Sequence, residues 1–177
     1  MTDLDALAER LKRLEDVQAL HALKAEYAKA ADAKYTATFQ RSPDFESAAA
    51  RQVACFTEDA VWHGGSFGGT LIGHKALLDF FLNSPWRFTA HLYDAPELSI
   101  ERDGASARWR LWELGIRASD GHTMLLIGTT RETYRRMAQG WKIASMRFES
   151  LHSMTLAEHP DALRCLIAGN KQLDHFM

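Results

Sequence analysis

Eight histidines and 23 carboxylates give this 177-residue chain ample material for acid–base or metal chemistry. Spacing decides what they can do. No histidine falls at tight ligand spacing with a cysteine or carboxylate set, so no metal site is expected. His63 and His74 flank the stretch Gly64 to Gly73, which holds five glycines. That stretch does not lead from a clear strand into a helix, so it does not predict a phosphate-binding loop. There is no Gly-x-Ser-x-Gly elbow for a nucleophilic serine. Proton transfer remains, and imidazole suits it because its ordinary pKa is about 6.5. Three residues bear on that chemistry: Asp32 near the end of an early helix, His91 within a strand, and Tyr27 on an apolar helix face. By residue type alone they read as a solvated acid, a satisfied structural histidine and a core aromatic.

The elements that would position them follow from hydrophobic period and turn residues. Leu4, Leu7, Leu11 and Leu14 keep helical spacing, and Val17, Leu20, Leu23 and Tyr27 continue it. Asp16 is placed to cap a fresh helix, so two helices are expected here, the second fraying near Asp32 to Lys34. Residues 35–43 read as a loop. A helix is expected over 44–56, a short strand over 59–63, a glycine-rich hairpin lip over 64–73 and a short helix over 74–82. Strands are then expected near 87–94, 96–102, 106–117, 122–136 and 140–152, separated by turns such as Arg102-Asp103-Gly104 and Ser119-Asp120-Gly121. A further helical stretch falls at Ala162 to Ile167. Helices first and an antiparallel meander after is the α+β pattern, in one domain over 1–177 with its core at about 10–152 and a tail over 153–177.

Composition narrows the partners. With 21 basic and 23 acidic residues the formal net charge is -2, which argues against nucleic acid or an anionic membrane surface. Cys55 and Cys165 are too few for a disulfide framework and are expected to be reduced. The sequence shows no basic segment followed by an apolar run and no apolar stretch long enough to span a bilayer, so a cytoplasmic setting is expected.

Several stretches in this order resemble the nuclear-transport-factor-2-like superfamily, SnoaL-like branch. Glu15-Asp16-Val17-Gln18-Ala19-Leu20 leading to Tyr27 resembles its opening helix. Phe56-Thr57-Glu58-Asp59-Ala60-Val61-Trp62 is similar to its entry into the first strand. His91 followed by Pro96-Glu97-Leu98 resembles its His-to-Pro strand pair, and Tyr134, Gly140 and Trp141-Lys142-Ile143 its final hairpin. The resemblance covers residues 10 to 152 and implies a cone-shaped, curved antiparallel sheet wrapped around N-terminal helices. Within the superfamily the pattern is nearest the lyases: bile-acid 7-alpha-dehydratase, scytalone dehydratase and hexachlorocyclohexane dehydrochlorinase. Asp32 and His91 match their Asp at the end of the early helix and their His in the strand before the Pro. Tyr27 matches a Tyr five residues before that Asp in the bile-acid enzyme. The lyases also place an Arg or Asn on the last strand, pointing into the pocket. The matching positions here fall on Met146 or Ser150, while Arg147 should face the other way by strand alternation; His152 could supply that charge instead.

The resemblance therefore implies a cofactor-free elimination on a small apolar substrate, ring-bearing or steroid-like. His91 would be the base, Asp32 its orienting partner, and Tyr27 the phenol that polarises a carbonyl or protonates a leaving hydroxyl. Helical geometry alone sets Tyr27 and Asp32 about 140° apart, so the pairing requires the helix to end near Asp32. Trp62, Trp112, Leu114, Leu125, Ile127, Met146, Phe148 and His152 are candidates for the substrate pocket. Strand 106–117 is apolar on both faces, with Trp109 and Leu111 on one and Trp112 and Leu114 on the other. Either could line the pocket, the other facing a subunit interface. Two alternatives stay open. One is a ketosteroid-isomerase-like proton shuttle with Glu113 as base. The other is a non-catalytic binding or oligomerisation domain, including the small subunit of a ring dioxygenase. The lyases it resembles imply a homo-oligomer, a trimer or dimer.

Overall fold

The computed structural model describes residues 2–159; Cys165 and the helical stretch expected at 162–167 lie outside them. The chain opens on one long helix, α1 (Asp3–Asp32), and not on two. Thr2 starts it with a capping box, its hydroxyl accepting from the Asp5 amide while the Asp5 carboxylate accepts from the Thr2 amide. Asp16 caps nothing. Its carboxylate accepts two hydrogen bonds of 2.7 Å from Arg136 and one of 3.0 Å from the Trp141 indole. With its acid engaged across the fold and no Gly or Pro nearby, the helix has no reason to break there. The two apolar stripes survive as two faces of a single helix. Leu4, Leu7, Leu11 and Leu14 are exposed, whereas Leu20, Tyr27, Ala30 and Ala31 are buried.

Two short helices follow, α2 (Phe45–Ala54) and α3 (Gly73–Leu82). Between them the strands β1 (Phe56–Gly65) and β2 (Gly69–Ile72) form the expected glycine-rich hairpin. Its glycines have a steric reason. The Trp62 ring folds against the hairpin, and a Cβ on Gly64 would come within 2.2 Å of that ring, one on Gly68 within 2.8 Å. His74 at the start of α3 donates its Nε2–H to the Phe56 carbonyl oxygen, 3.0 Å away, which fixes the Nε2–H tautomer.

The remaining strands are β3 (Trp86–Ile100), β4 (Gly104–Arg117), β5 (Thr123–Met137), β6 (Gly140–Phe148) and β7 (His152–Ala157). They make a curved, unclosed sheet in the order β2-β1-β6-β5-β4-β3, with β7 paired to β5. The sheet is mixed and not wholly antiparallel, because β1 runs parallel to β6. The two strands expected at 87–94 and 96–102 are one strand interrupted by a bulge. Its register shifts between Asp94 and Glu97, and Ala95 carries a φ of 44°. The bulge changes which residues face the core: Thr89, His91 and Tyr93 before it, Leu98 and Ile100 after it.

The core contains an ion pair. Lys24 of α1 donates to Glu132 of β5 at 2.5 Å, and both side chains are essentially sealed from solvent. Thr130 and Tyr134 also donate to the Glu132 carboxylate, and the Trp109 indole donates to the Tyr134 hydroxyl at 2.8 Å. The Lys24 ammonium sits 3.6 Å from the Tyr93 ring centroid. Every charge here is satisfied, the condition under which a buried pair is tolerated. Lys24→Met strands the Glu132 carboxylate and should cost about 3–5 kcal/mol in urea unfolding. A loss under about 1 kcal/mol would show that the carboxylate has another means of compensation.

Candidate active site

α1 ends at Asp32, and the end of that helix meets the inward face of β3. The Asp32 carboxylate accepts three hydrogen bonds from this strand: from His91 Nδ1 at 2.6 Å, from the His91 backbone N–H at 2.9 Å and from the Thr89 hydroxyl at 3.0 Å. This arrangement puts the proton on Nδ1 and leaves Nε2 as the free base. Nε2 points away from Asp32, toward Glu113 of β4, whose Oε2 lies 3.5 Å away. His91 and Glu113 are cross-strand partners in the β3–β4 ladder, which places both on one face.

His91 and Glu113 line a cavity of about 50 Å³. Thr89, Lys34 and Gln52 add polar side chains to the lining, and the rest of it is largely aromatic, with Tyr27, Trp62, Phe67, Phe80, Trp86 and Phe148 among it. Asp32 approaches His91 from behind and is not part of the lining; its side chain is 31% exposed, toward a groove between α1 and β3, against 10% for His91. The volume is far below the roughly 300–1,000 Å³ of pockets for drug-sized ligands. Phe67, at the tip of the β1–β2 hairpin, stacks on Trp86 with ring centroids 5.9 Å apart and closes one side.

The electrostatics follow from burial and neighbours. Burial alone would push the His91 pKa down, but the Glu113 charge and the hydrogen bond and charge of Asp32 outweigh it, so the net shift is upward from 6.5. Burial raises the Glu113 carboxyl, opposed by the attraction of His91. These two groups titrate as a pair. Burial also raises the Tyr27 phenol, which keeps it neutral and able to donate. It pushes the Cys55 thiol up to about 11, which leaves that buried cysteine inert.

Of the residues singled out from sequence, Tyr27, His91, Glu113, Trp62 and Phe148 line the cavity and Asp32 orients the histidine. The others do not line it. Met146 is packed wholly within the core. Trp112, Leu114, Leu125 and Ile127 lie on the outer face of the sheet, where Trp112 opposes Ile127 and Leu114 opposes Leu125. His152 is exposed on β7, opposite Ile127 on that same face. Arg147 is exposed, as strand alternation requires, and Ser150 is exposed as well. The inward face of β4 is therefore the one bearing Trp109, Leu111 and Glu113. Sequence reasoning passed over Lys34, Gln52 and Tyr93. Tyr93 was legible as the next residue on the His91 face, two positions along the strand. Gln52 is a polar residue among the buried positions of α2.

A profile of the SnoaL-like domain matches residues 12–147. Among solved structures, a Novosphingobium aromaticivorans protein whose proposed activity is aromatic ring hydroxylation is 28% identical over 80% of this chain and 94% of its own, with a TM-score of 0.63. A proposed scytalone dehydratase from the same organism is 14% identical over 84% of this chain and 94% of its own, with a TM-score of 0.67. A hexachlorocyclohexane dehydrochlorinase from Novosphingobium barchaimii is 20% identical over 86% of this chain and 94% of its own, with a TM-score of 0.60. The last two likenesses establish the fold. No curated protein matches the chain.

The raised His91 pKa has a definite sign. It contributes stability that is complete below pH 6.5 and is lost as pH rises through the folded value. An NMR titration of the His91 ring should give a midpoint above 6.5, and Glu113→Gln should lower that midpoint by removing the charge that contributes most to the rise. A midpoint unmoved in Glu113→Gln would mean that the two side chains are not coupled.

Proposed function

The chain belongs to the SnoaL-like domain family, and on that premise we propose that it is a lyase that eliminates water or halide from a small apolar substrate without a cofactor. The observation that carries this reading is the 2.6 Å contact between Asp32 and His91, with the other ring nitrogen aimed into a mostly aromatic cavity. His91 Nε2 takes the acidic proton from carbon. Asp32 holds the ring tautomer and stabilises the imidazolium that forms. The neutral Tyr27 phenol donates to the departing group or to a carbonyl. A cavity of about 50 Å³ has no room for a steroid.

A second reading has a specific support. Glu113 sits in the same cavity, within reach of His91, and could carry a proton between two carbons of one substrate. Such an isomerase would exchange solvent deuterium into its product without releasing a leaving group. A binding or scaffold role, such as a ring-dioxygenase small subunit, draws support from the 28% identical structure with a proposed hydroxylase activity. It requires no function for His91.

Self-association as a trimer or dimer is also part of the proposal. Leu92, Trp112, Met154 and Leu156 leave the outer face of the sheet apolar and 48–61% exposed. Trp112→Glu should shift the mass measured by light scattering toward the monomer; a wild-type protein already monomeric would remove this part. No described helix is long and apolar enough to cross a membrane.

The chemistry is tested on a panel of hydroxylated and halogenated rings bearing an acidic C–H, with water or halide loss followed by mass spectrometry and halide release. His91→Ala should abolish turnover with its near-ultraviolet dichroism unchanged, and Asp32→Asn should lower the rate by roughly 10³- to 10⁴-fold. Wild-type turnover in His91→Ala would sink the mechanism.

A further inference from the structure

One cation in the cavity has no part in the dyad. Lys34 follows the end of α1 by two residues and is only 4% exposed. It lines the same cavity as His91 and Glu113, where it is the one lysine or arginine among the described lining residues. Among the described residues it makes no ion pair and no side-chain hydrogen bond, in contrast to Lys24, which is fully partnered. The Phe81 ring centroid lies 5.3 Å from its ammonium. A buried ammonium without a carboxylate is costly, and burial lowers its pKa to about 8 against the opposing pull of Glu113 and Asp32. Two neutral groups of the lining are also unpartnered: the Trp62 indole N–H, a donor, and the Gln52 amide oxygen, an acceptor. The buried Lys34 ammonium, left without an anion in a residue that lines the cavity, calls for a ligand that supplies the missing partner.

Resting on the elimination reading, we propose that Lys34 is a catalytic residue whose ammonium holds the substrate oxygen on which negative charge builds, so that the site takes rings with a carbonyl or ring-conjugated oxygen beside the acidic C–H. His91 Nε2 removes the proton. The C–H electron pair moves into a new carbon–carbon double bond, and the carbonyl π pair moves onto oxygen, which becomes an enolate held by Lys34. The enolate then re-forms the carbonyl and expels the group on the β carbon. For a hydroxyl, the imidazolium returns its proton to it, and the products are a conjugated ketone and water. No oxidant, reductant or second substrate is consumed. β6 does not offer this charge, since Met146 is core and Arg147 faces outward.

The test uses 4-nitrophenol, whose phenolate mimics the enolate oxygen and absorbs at longer wavelength than the phenol. The full chain is titrated at a pH where free 4-nitrophenol is half ionised. Wild type should bind the phenolate in preference to the phenol, and Lys34→Met should bind the phenolate at least about tenfold more weakly. Lys34→Arg should retain part of the preference, and His91→Ala most of it. This readout needs no turnover, so the lyase reading can fail while the oxyanion site stands. Wild type that binds no phenolate, or Lys34→Met that binds it as wild type does, overturns the assignment. A borohydride-trapped adduct of Lys34 with a cyclic ketone would also overturn it, since the amine would then act as a nucleophile.

Discussion

The structure depends on the three hydrogen bonds that β3 gives to Asp32. A helix C-terminus is an unfavourable place for a carboxylate, because the partial charge there is already negative. Donors from His91 and Thr89 offset that, and in doing so they fix the end of α1 against the edge strand of the sheet. The same contacts choose the imidazole tautomer. One carboxylate thus settles both how the helix meets the sheet and which nitrogen is left for chemistry.

Asp32 is the last of three polar anchors along α1. Asp16 binds Arg136 and Trp141, Lys24 binds Glu132, and Asp32 binds His91. They are eight residues apart, a separation of about 12 Å along the axis and a rotation of about 80°. The anchors therefore wind around the helix, the first meeting β5 and β6, the second β5 and the third β3, which matches a sheet that curls around it. Apolar burial alone would let a long helix slide or rotate in such a trough. Anchors of alternating charge, each with its own complement, resist that: Asp16 cannot exchange places with Lys24 without setting like charges together.

The order of elements was readable from hydrophobic period and turns, because those signals are local. Asp16 misled for a physical reason. An acidic residue inside a helix has the same local signature whether it caps a turn or reaches an arginine 120 positions along the chain. The parallel pairing of β1 with β6 was hidden for the same reason, as strand direction leaves no mark in the sequence of a single strand. At the site, the His and Asp were legible through the resemblance. The pocket walls were not: β4 is apolar on both faces, and only the pairing of His91 with Glu113 shows which face turns inward. Lys34 carried no signal, since a lysine just past a helix end usually interacts with solvent and with the last carbonyls.

The bulge at Ala95 divides β3 into two halves with opposite inward parity. A one-residue slip in a strand ordinarily reverses every side chain beyond it. Here a reversal is already built in, seated between the half that bears Thr89 and His91 and the half that packs the far end of the core through Leu98 and Ile100. The bulge thus lets one strand aim the imidazole at the cavity on odd positions and bury Leu98 and Ile100 on even ones, so that neither half dictates the facing of the other.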